Sequence, residues 1–261
     1  MHSGKKTADK VATTASGAAE ALTHEKPWRS WFARLHPKLY LSLHAVVGIL
    51  LSMGLLWAFL AIAEDVPENG SMVRFDAAVA VWFHLHETEW LEGVFYVISL
   101  IGAPVLAATL AAAAILFLVK RDWRRLGALG ITVGGGGLLN LALKSGFHRV
   151  RPVYASEFHP HGWSFPSGHA MDSLIGYGML AFFLAEQASG ARMRRLIGGL
   201  AATLILAIGF GRIYLGVHFL SDVVGGFAAG ALWLGVCITG YRFARRRHVS
   251  TSSGNAPAKT A

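Results

Sequence analysis

The sequence has very little cysteine and little charge. Cys237 is its only cysteine and lies within an apolar run, so neither a disulfide framework nor a thiolate metal site can form within one chain. Charged residues make up 15% of the chain, against roughly 25% in soluble domains. Apolar residues make up 54% and are gathered into long runs between short basic clusters. Since about 20 apolar residues cross the hydrocarbon of a bilayer, this pattern predicts an integral membrane protein.

Six runs are long enough to be membrane-spanning helices. They cover approximately residues 40–63, 91–118, 126–143, 168–185, 196–210 and 217–241. Gly102-Ala103-Pro104 predicts a kink or break in the second run, and an amphipathic segment at residues 72–90 follows the first. We therefore expect an all-α integral membrane bundle of six transmembrane helices with an extracytoplasmic amphipathic segment. This domain would cover residues 39–242, between a disordered and interfacial tail at 1–38 and a disordered cytoplasmic tail at 243–261.

The positions of Lys and Arg predict the orientation. The formal charge is +9, but the cations lie beside the apolar runs, which is typical of membrane proteins rather than of nucleic-acid-binding ones. With six spans, the clusters before the first span and after the second, fourth and sixth share one side, which the positive-inside rule makes the cytoplasm. This predicts a multi-pass inner (plasma) membrane protein with both termini in the cytoplasm. Apart from Arg74, the cations predicted on the outer side are Lys144, Arg149, Arg151 and Arg212.

Three segments on that outer side hold polar residues that a membrane span does not require. They are residues 144–152 (KSGFHRVRP), 164–169 (SFPSGH) and 211–222 (GRIYLGVHFLSD). Lys144, Arg151 and Arg212 together would make a strong phosphate site, because Arg offers bidentate donors and Lys a compact charge. Lys144 and Arg151 would share a helical face if the third helix continued that far.

The second segment predicts an anion site at the start of a helix. Pro166 suits the beginning of a helix, and Ser167 suits its N-cap or first turn. Free backbone N–H groups of Ser167 and Gly168 would then point at an anion, and Gly168 allows the backbone to approach it closely.

The third segment predicts a nucleophile and the group that orients it. His218 and Asp222 are four residues apart and would lie on one helical face. Asp222 can accept a hydrogen bond from one ring nitrogen and leave the other nitrogen free to attack. His169 of the second segment is then the natural acid for the leaving oxygen.

These segments resemble the motifs of the type 2 phosphatidic acid phosphatase superfamily, KxxxxxxRP, PSGH and SRxxxxxHxxxD. The first two motifs match in full, and the third matches at Arg212, His218 and Asp222, with Gly211 in place of the serine. The resemblance covers roughly residues 40–240. It implies a phosphatase that uses no metal or cofactor, a phosphohistidine on His218, and proton donation by His169. It further implies that the transition-state charge is held by Lys144, Arg151, Ser167, Gly168 and Arg212.

The sequence leaves the substrate open. The expected partners are a lipid phosphate and membrane lipids, with no nucleic acid. Phosphatidylglycerophosphate, undecaprenyl diphosphate, phosphatidic acid and lipid A phosphates all present a similar phosphate at the membrane surface, and resemblance favours the first two. A lipid phosphotransferase with the same site is one alternative, and a non-catalytic lipid-phosphate binding or transport protein is another. Five further residues are candidates for a head-group contact or a rim: His148, Arg149, His159, His161 and Trp163.

Overall fold

The structure, a computed structural model, describes residues 37–68, 70–152 and 162–254, with side chains over 49–65, 70–152 and 162–245. Within these ranges every regular element is a helix, which confirms the all-α prediction. Most of the predicted N-terminal tail (residues 1–36) and two further segments (153–161 and 255–261) lie outside the described residues.

The described residues form eight α-helices: α1 Pro37–Glu68, α2 Ser71–Leu85, α3 Glu89–Leu100, α4 Leu106–Val119, α5 Trp123–Phe147, α6 Gly168–Gln187, α7 Ala191–Tyr214 and α8 Leu220–Gly254. Contacts between residues divide the chain into two units, Met1–Ser52 and Met53–Ala261. The first unit contributes only the first turns of α1 to the described residues. The second unit contains every contact considered below.

Helices lie at all six positions that the sequence predicts as spans. In the described part of the chain, four stretches are long and apolar enough to cross a membrane: Glu89–Val119, Trp123–Phe147, Ala191–Tyr214 and Leu220–Arg245. Their most apolar windows are only 17% to 33% buried within the protein, so most of their apolar side chains face outward, as lipid contact requires. This is a membrane protein. Spans in α1 and α6, and the extracytoplasmic position of α2, remain predictions.

The kink or break predicted at Gly102-Ala103-Pro104 is a π-helical turn, Ile101–Val105, that joins α3 to α4. A proline lacks the N–H that an α-helix would use, and a π turn lets the helix continue past it. The Tyr177 hydroxyl donates to the Ile101 carbonyl oxygen at 2.7 Å. The hydrogen bond from α6 therefore stabilises the turn, and α3, the π turn and α4 form one continuous helical rod.

Helix α5 ends earlier than a shared face for Lys144 and Arg151 would need. The helix stops at Phe147, and His148 adopts a left-handed conformation with a φ of 48°. Lys144 thus lies in the last turn of α5, whereas Arg151 lies beyond it in the loop. The condition for a shared helical face is therefore not met, although both cations reach the same site.

Glycines of α8 allow the close packing of this helix on α6. A Cβ on Gly226 would lie 2.7 Å from the carbonyl oxygen of Ser167, and one on Gly230 would lie 3.0 Å from Leu174 Cδ2. Helix α6 also packs against α5 and α7. The helix that follows the PSGH motif is therefore enclosed by three others, which fixes the position of its first turn.

Phe165 anchors the loop that leads into α6. Its side chain is fully buried and lies 5.8 Å from the ring of Phe59 and 5.0 Å from the ring of Phe147, measured between centroids. A Cβ on Gly225 would lie 2.6 Å from the Phe165 ring. The loop is thus fixed by aromatic packing immediately before the residues that carry the chemistry.

Candidate active site

His218 lies in the short loop that joins α7 to α8. Its backbone N–H donates to the carbonyl oxygen of Arg212 at 3.2 Å, and Gly216 turns the chain with a positive φ of 63° that favours glycine. Because α8 begins at Leu220, His218 precedes the helix instead of sharing a face of it with Asp222, which corrects the prediction. The turn still brings His218 Nδ1 within 3.4 Å of Asp222 Oδ2.

The contact between His218 and Arg151 indicates which ring nitrogen carries the proton and which carries the lone pair. Arg151 Nη1 lies 3.0 Å from His218 Nε2. Since a guanidinium can only donate, Nε2 accepts through its lone pair, and the proton of the neutral ring lies on Nδ1. The Nδ1–H group then faces Asp222, at a distance that is long for a hydrogen bond. Nε2 is therefore the ring nitrogen that carries the lone pair, and this lone pair is directed at a cation.

Burial keeps His218 in its neutral form. Its side chain is 3% exposed, and burial lowers the pKa of His218 from 6.5 to about 4. The positive charges of Arg151 and Arg212 lower it further, while Asp222 opposes the shift. At neutral pH the ring is thus uncharged, which is the form that can act as a nucleophile.

Asp222 is fully buried in the first turn of α8. Its Oδ2 accepts from the backbone N–H of Phe219 at 2.9 Å, which is one half of a capping box and ties the carboxylate to the start of its own helix. Its Oδ1 accepts from Arg149 Nη1 at 2.6 Å. Both oxygens have donors, so the orientation of the carboxylate beside His218 is fixed.

Arg149 connects Asp222 to a second buried carboxylate, that of Asp76 in α2. Arg149 Nη2 donates to Asp76 Oδ2 at 2.8 Å, and the Ser221 backbone N–H donates to Asp76 Oδ1 at 3.0 Å. The guanidinium also lies over the Phe219 ring, 4.3 Å from its centroid. Arg149 is 7% exposed and its guanidinium binds groups within the protein, so it is not available for the head-group contact for which it was a candidate.

The three cations predicted to bind phosphate come from three parts of the chain and lie together. Lys144 interacts electrostatically with both Arg151 and Arg212. Lys144 Nζ donates to the carbonyl oxygen of Trp163 at 2.6 Å, and Arg212 donates to the hydroxyl of Ser99. Three positive charges in one partly buried place repel one another, and an anion bound between them offsets this repulsion. The site is therefore suited to phosphate.

Ser167 is the N-cap of α6, as predicted. Its backbone N–H donates to the carbonyl oxygen of Asp222 at 2.9 Å, so the expectation that this N–H is free for an anion is wrong. Its hydroxyl is buried and has no hydrogen-bond partner among the described residues, which makes it the group of Ser167 that can bind phosphate. At the next residue, a Cβ on Gly168 would lie 4.0 Å from Lys144 Cε, which places the first turn of α6 beside the cations.

His169 borders both the cations and a cavity. It interacts electrostatically with Arg212 and His218, and a Cβ on Gly102 of the π turn would lie 3.2 Å from its Cδ2 atom. His169 also lines a cavity of about 360 Å³ between the π turn and helices α4, α5 and α6. A group bound in this cavity would have its end beside the His169 ring.

The site therefore gathers all the residues that the sequence predicted for it: Lys144, Arg151, Ser167, Gly168, His169, Arg212, His218 and Asp222. Trp163 lies at its edge, where its carbonyl oxygen accepts from Lys144 and its ring packs 4.8 Å from the ring of His148. His159 and His161 lie outside the described residues. Among the residues that are described, no three His, Cys, Asp or Glu side chains are grouped as they would be to hold a metal ion.

Sequence analysis missed three polar residues of this region, Ser99, Asp76 and Ser221. Ser99 and Asp76 lie on helices that carry no motif. Ser99 contacts Arg212, 113 positions away in the sequence, and Asp76 contacts Arg149, 73 positions away. An acidic residue within a largely apolar helical segment, as at Asp76, is the one signal that could have identified this residue from the sequence.

Comparison with known proteins agrees with this architecture. Residues 125–246 match the family model of the PAP2 superfamily. The chain is 33% identical over 177 residues to Phosphatidylglycerophosphatase B of Bacillus subtilis, which covers 67% of this chain and 86% of that protein. It is 24% identical over 187 residues to Undecaprenyl-diphosphatase of Sulfolobus acidocaldarius, over 69% of this chain and 84% of that protein.

A solved structure shares the fold. The crystal structure of a transmembrane PAP2 type phosphatidylglycerolphosphate phosphatase from Bacillus subtilis has a TM-score of 0.64 and 30% identity, over 72% of this chain and 94% of that one. Helices and site together define a membrane protein of the lipid phosphatase class. Within that class, the chain belongs to the PAP2 superfamily.

Proposed function

We propose that the protein hydrolyses the terminal phosphate of a membrane lipid through a phosphohistidine on His218, without a metal ion or cofactor. The observation that carries this proposal is the 3.0 Å contact between His218 Nε2 and Arg151 Nη1. It directs the lone pair of the nucleophile toward a cation suited to phosphate. A phosphate bound to Arg151 would therefore present its phosphorus atom to Nε2.

The reaction has two steps. In the first, His218 Nε2 attacks phosphorus in line with the lipid oxygen, so that a P–N bond forms as the P–O bond breaks. His169 donates its proton to the departing oxygen. In the second, His169 takes a proton from a water molecule that attacks phosphorus, the P–N bond breaks, and inorganic phosphate leaves. Asp222 stabilises the positive charge that develops on the His218 ring in the first step.

The charge of the transition state is held by groups whose positions are set before the lipid arrives. Lys144, Arg151 and Arg212 can neutralise the phosphoryl oxygens, a role that metal ions share with Lys and Arg in other phosphoryl-transfer enzymes. The Ser167 hydroxyl and the Gly168 backbone N–H would add neutral donors. Because the protein supplies these charges itself, we expect the reaction to proceed in the presence of a chelator.

Phosphatidylglycerophosphate is the substrate we favour. The support is the name of the 33% identical relative, Phosphatidylglycerophosphatase B, and of the 30% identical structure. The relative named Undecaprenyl-diphosphatase is more distant, at 24% identity. Undecaprenyl diphosphate and phosphatidic acid are therefore the alternatives to test beside it.

We place the site at the extracytoplasmic face of the membrane, as the positive-inside rule predicts. Cysteine labelling at exposed residues on opposite ends of the helices tests this orientation. Ser145 lies near the site and Arg192 lies at the other end. In a Cys237→Ser background, a cysteine replacing Ser145 should react with a membrane-impermeant maleimide in intact cells, and one replacing Arg192 should not. The reverse labelling pattern would contradict the orientation.

The central experiment is phosphate release by detergent-solubilised protein in EDTA from phosphatidylglycerophosphate, undecaprenyl diphosphate and phosphatidic acid. His218→Ala should abolish release, whereas His86→Ala, a change to an exposed histidine at the end of α2, should not. Protein labelled from ³²P-substrate should carry acid-labile, alkali-stable phosphate that is absent in His218→Ala. Transfer of the label to a lipid or sugar acceptor would indicate the phosphotransferase, and binding without release the non-catalytic protein.

A further inference from the structure

Helix α6 carries an acidic residue beside the proposed acid. Asp172 follows His169 by three positions, and residues three apart are neighbours on one face of a helix. Both side chains line the cavity of about 360 Å³ described above. The rest of that lining is apolar or glycine, so His169 and Asp172 are its polar side chains among the described residues.

The Asp172 carboxylate is close to the phosphate-binding turn. A Cβ on Gly168 would lie 3.8 Å from Asp172 Oδ2, 3.5 Å from Asn140 Oδ1 and 4.0 Å from Lys144 Cε. The carboxylate itself makes no hydrogen bond or ion pair within the described residues. Its side chain is accessible. An ionised carboxylate can only accept, so a ligand that binds this form of Asp172 would have to bring a donor.

The position of Asp172 relative to the reaction defines what that donor would be. If His169 protonates the leaving oxygen, as in the proposed function, the first carbons of the leaving alcohol lie on the side of the His169 ring that faces the cavity. Cβ atoms three residues apart on a helix are roughly 5–6 Å apart. Two side chains at this spacing can bond to two oxygens on adjacent carbons, each at hydrogen-bond distance.

We propose that Asp172 is a specificity-determining residue that accepts a hydrogen bond from a free hydroxyl on the carbon next to the phosphorylated carbon of the substrate. This rests on the proposed function and names its substrate class, a phosphomonoester of a polyol head group such as glycerol. Phosphatidylglycerophosphate has such a hydroxyl. Phosphatidic acid carries an acyl ester at that carbon, and the leaving group of a polyprenyl diphosphate is a second phosphate, which a carboxylate would repel.

The test compares two substrates that differ by this one hydroxyl. The full-length protein in detergent micelles is assayed on phosphatidylglycerophosphate and on an analogue in which 1,3-propanediol replaces the terminal glycerol. Wild type should prefer the hydroxylated lipid in kcat/KM by roughly 10- to 100-fold, the range for a hydrogen bond to a charged group. Asp172→Ala should remove this preference while changing the rate on the analogue by less than about threefold, within the range of an unrelated substitution.

Two more variants make the result specific. Asp172→Asn keeps a carbonyl acceptor and should keep part of the preference, while its missing charge should raise kcat/KM for a polyprenyl diphosphate. Glu186→Ala removes a carboxylate near the other end of α6 and should leave the preference intact. Activity of Asp172→Ala on the analogue shows that the variant is folded.

Three results would overturn the inference. The first is a wild-type enzyme that hydrolyses both lipids equally well, and the second is an undiminished preference in Asp172→Ala. The third is an equal loss on both substrates, which would assign Asp172 a general role such as holding Lys144. Failure of the proposed function gives a different result, because wild type would then release no phosphate from either lipid.

Discussion

Arg149 donates to Asp222 Oδ1 at 2.6 Å while its other terminal nitrogen donates to Asp76 Oδ2 at 2.8 Å. One guanidinium thus bridges two buried carboxylates, of which one orients the proposed nucleophile and the other lies in α2. Because two negative charges face one buried cation, each member of this group depends on the other two. The position of His218 is thereby coupled to the packing of α2.

Replacing Arg149 with methionine should destabilise the protein strongly. The side chain keeps its approximate length but leaves two buried carboxylates without their cation, and breaking a buried ion pair typically costs about 3–5 kcal/mol. We expect a large drop in the melting temperature in detergent and loss of phosphate release. The matched control is Arg245→Met, because Arg245 pairs with Glu186 at 2.7 Å with 54% of its side chain exposed, and such pairs contribute about 0–1 kcal/mol. Equal melting temperatures for the two variants would contradict the bridge.

Replacing Asp222 with asparagine should reduce turnover more than substrate binding. Asparagine has the shape of Asp222 but lacks the negative charge that fixes the Nδ1–H tautomer of His218 and stabilises the charged ring. We expect kcat to fall by roughly 10²–10⁴-fold, the range for a proton-transfer partner, with KM changed little. Asp76→Asn disturbs the same arginine without touching His218, so it should lower stability with a much smaller effect on kcat. Similar kcat values for both variants would remove the orienting role of Asp222.

The rate should depend on pH through the neutral form of His218. The pKa of about 4 lies below the ordinary value of 6.5, so the ring is neutral at higher pH and becomes protonated as the pH falls through about 4. We expect kcat/KM to fall about tenfold per pH unit below that value, because the protonated ring cannot attack phosphorus. A pH profile of kcat/KM measures this. An acid limb centred near 6.5 would show that the nucleophile is not buried as described.

The same shift predicts lower stability in acid. The unfolded chain binds a proton at His218 near the ordinary pKa of 6.5, whereas the folded protein binds it only near a pKa of about 4. Folding is therefore progressively disfavoured as the pH falls between these values. The melting temperature of wild type should therefore fall relative to that of His218→Gln as the pH falls across this range; curves that stay parallel would contradict it.

Replacing Ser167 with alanine should weaken phosphate binding without destabilising the fold. The hydroxyl is buried without a hydrogen-bond partner among the described residues, so its removal leaves no internal group unsatisfied. The backbone bond from Ser167 to Asp222 is unaffected by the change. Inhibition by inorganic phosphate should weaken by roughly 3- to 10-fold, the loss of one neutral hydrogen bond, at an unchanged melting temperature. A lower melting temperature with unchanged inhibition would make the hydroxyl structural.

Two glycines of α8 offer a matched pair of substitutions. A Cβ on Gly226 would lie 2.7 Å from the Ser167 carbonyl oxygen, which is backbone and cannot move aside, whereas a Cβ on Gly235 would meet nothing within 4 Å. Gly226→Ala should therefore push the start of α6 away from α8, at a cost of about 1–3 kcal/mol, and reduce activity. Gly235→Ala should be neutral or slightly stabilising. Full activity of Gly226→Ala would contradict the contact between α8 and the PSGH turn.

Much of the site could be predicted because its chemistry lies in short motifs. Lys144, Ser167 and His218 each stand near other polar residues within a few positions, at the end of an apolar run, where no packing reason requires them. The helical segments could be predicted for the same reason, since an apolar run of the right length is a local property. The π turn at Pro104 was also signalled locally, as an interruption of the helix.

What escaped prediction depends on contacts between distant parts of the chain. Asp76 and Arg149 are 73 positions apart, and nothing near either residue specifies the other. The end of α5 at His148 is not marked by a glycine, although the residue has a positive φ. The backbone bond between Ser167 and Asp222 likewise arises only when α6 and α8 pack together, which is why the predicted anion contact of the Ser167 N–H is wrong.

The length of the continuous rod of α3, the π turn and α4 can be used to estimate the depth of the site in the membrane. The rod has 31 residues, Glu89–Val119, or about 46 Å at 1.5 Å per residue, against roughly 30 Å of hydrocarbon. If the hydrocarbon begins at the rod's basic end beside Lys120, about 20 residues of rise would place the far hydrocarbon boundary at Ser99, whose hydroxyl binds Arg212. Phosphate would thus be cleaved at the level where lipid head groups already reside, and the lipid chains need not leave the bilayer.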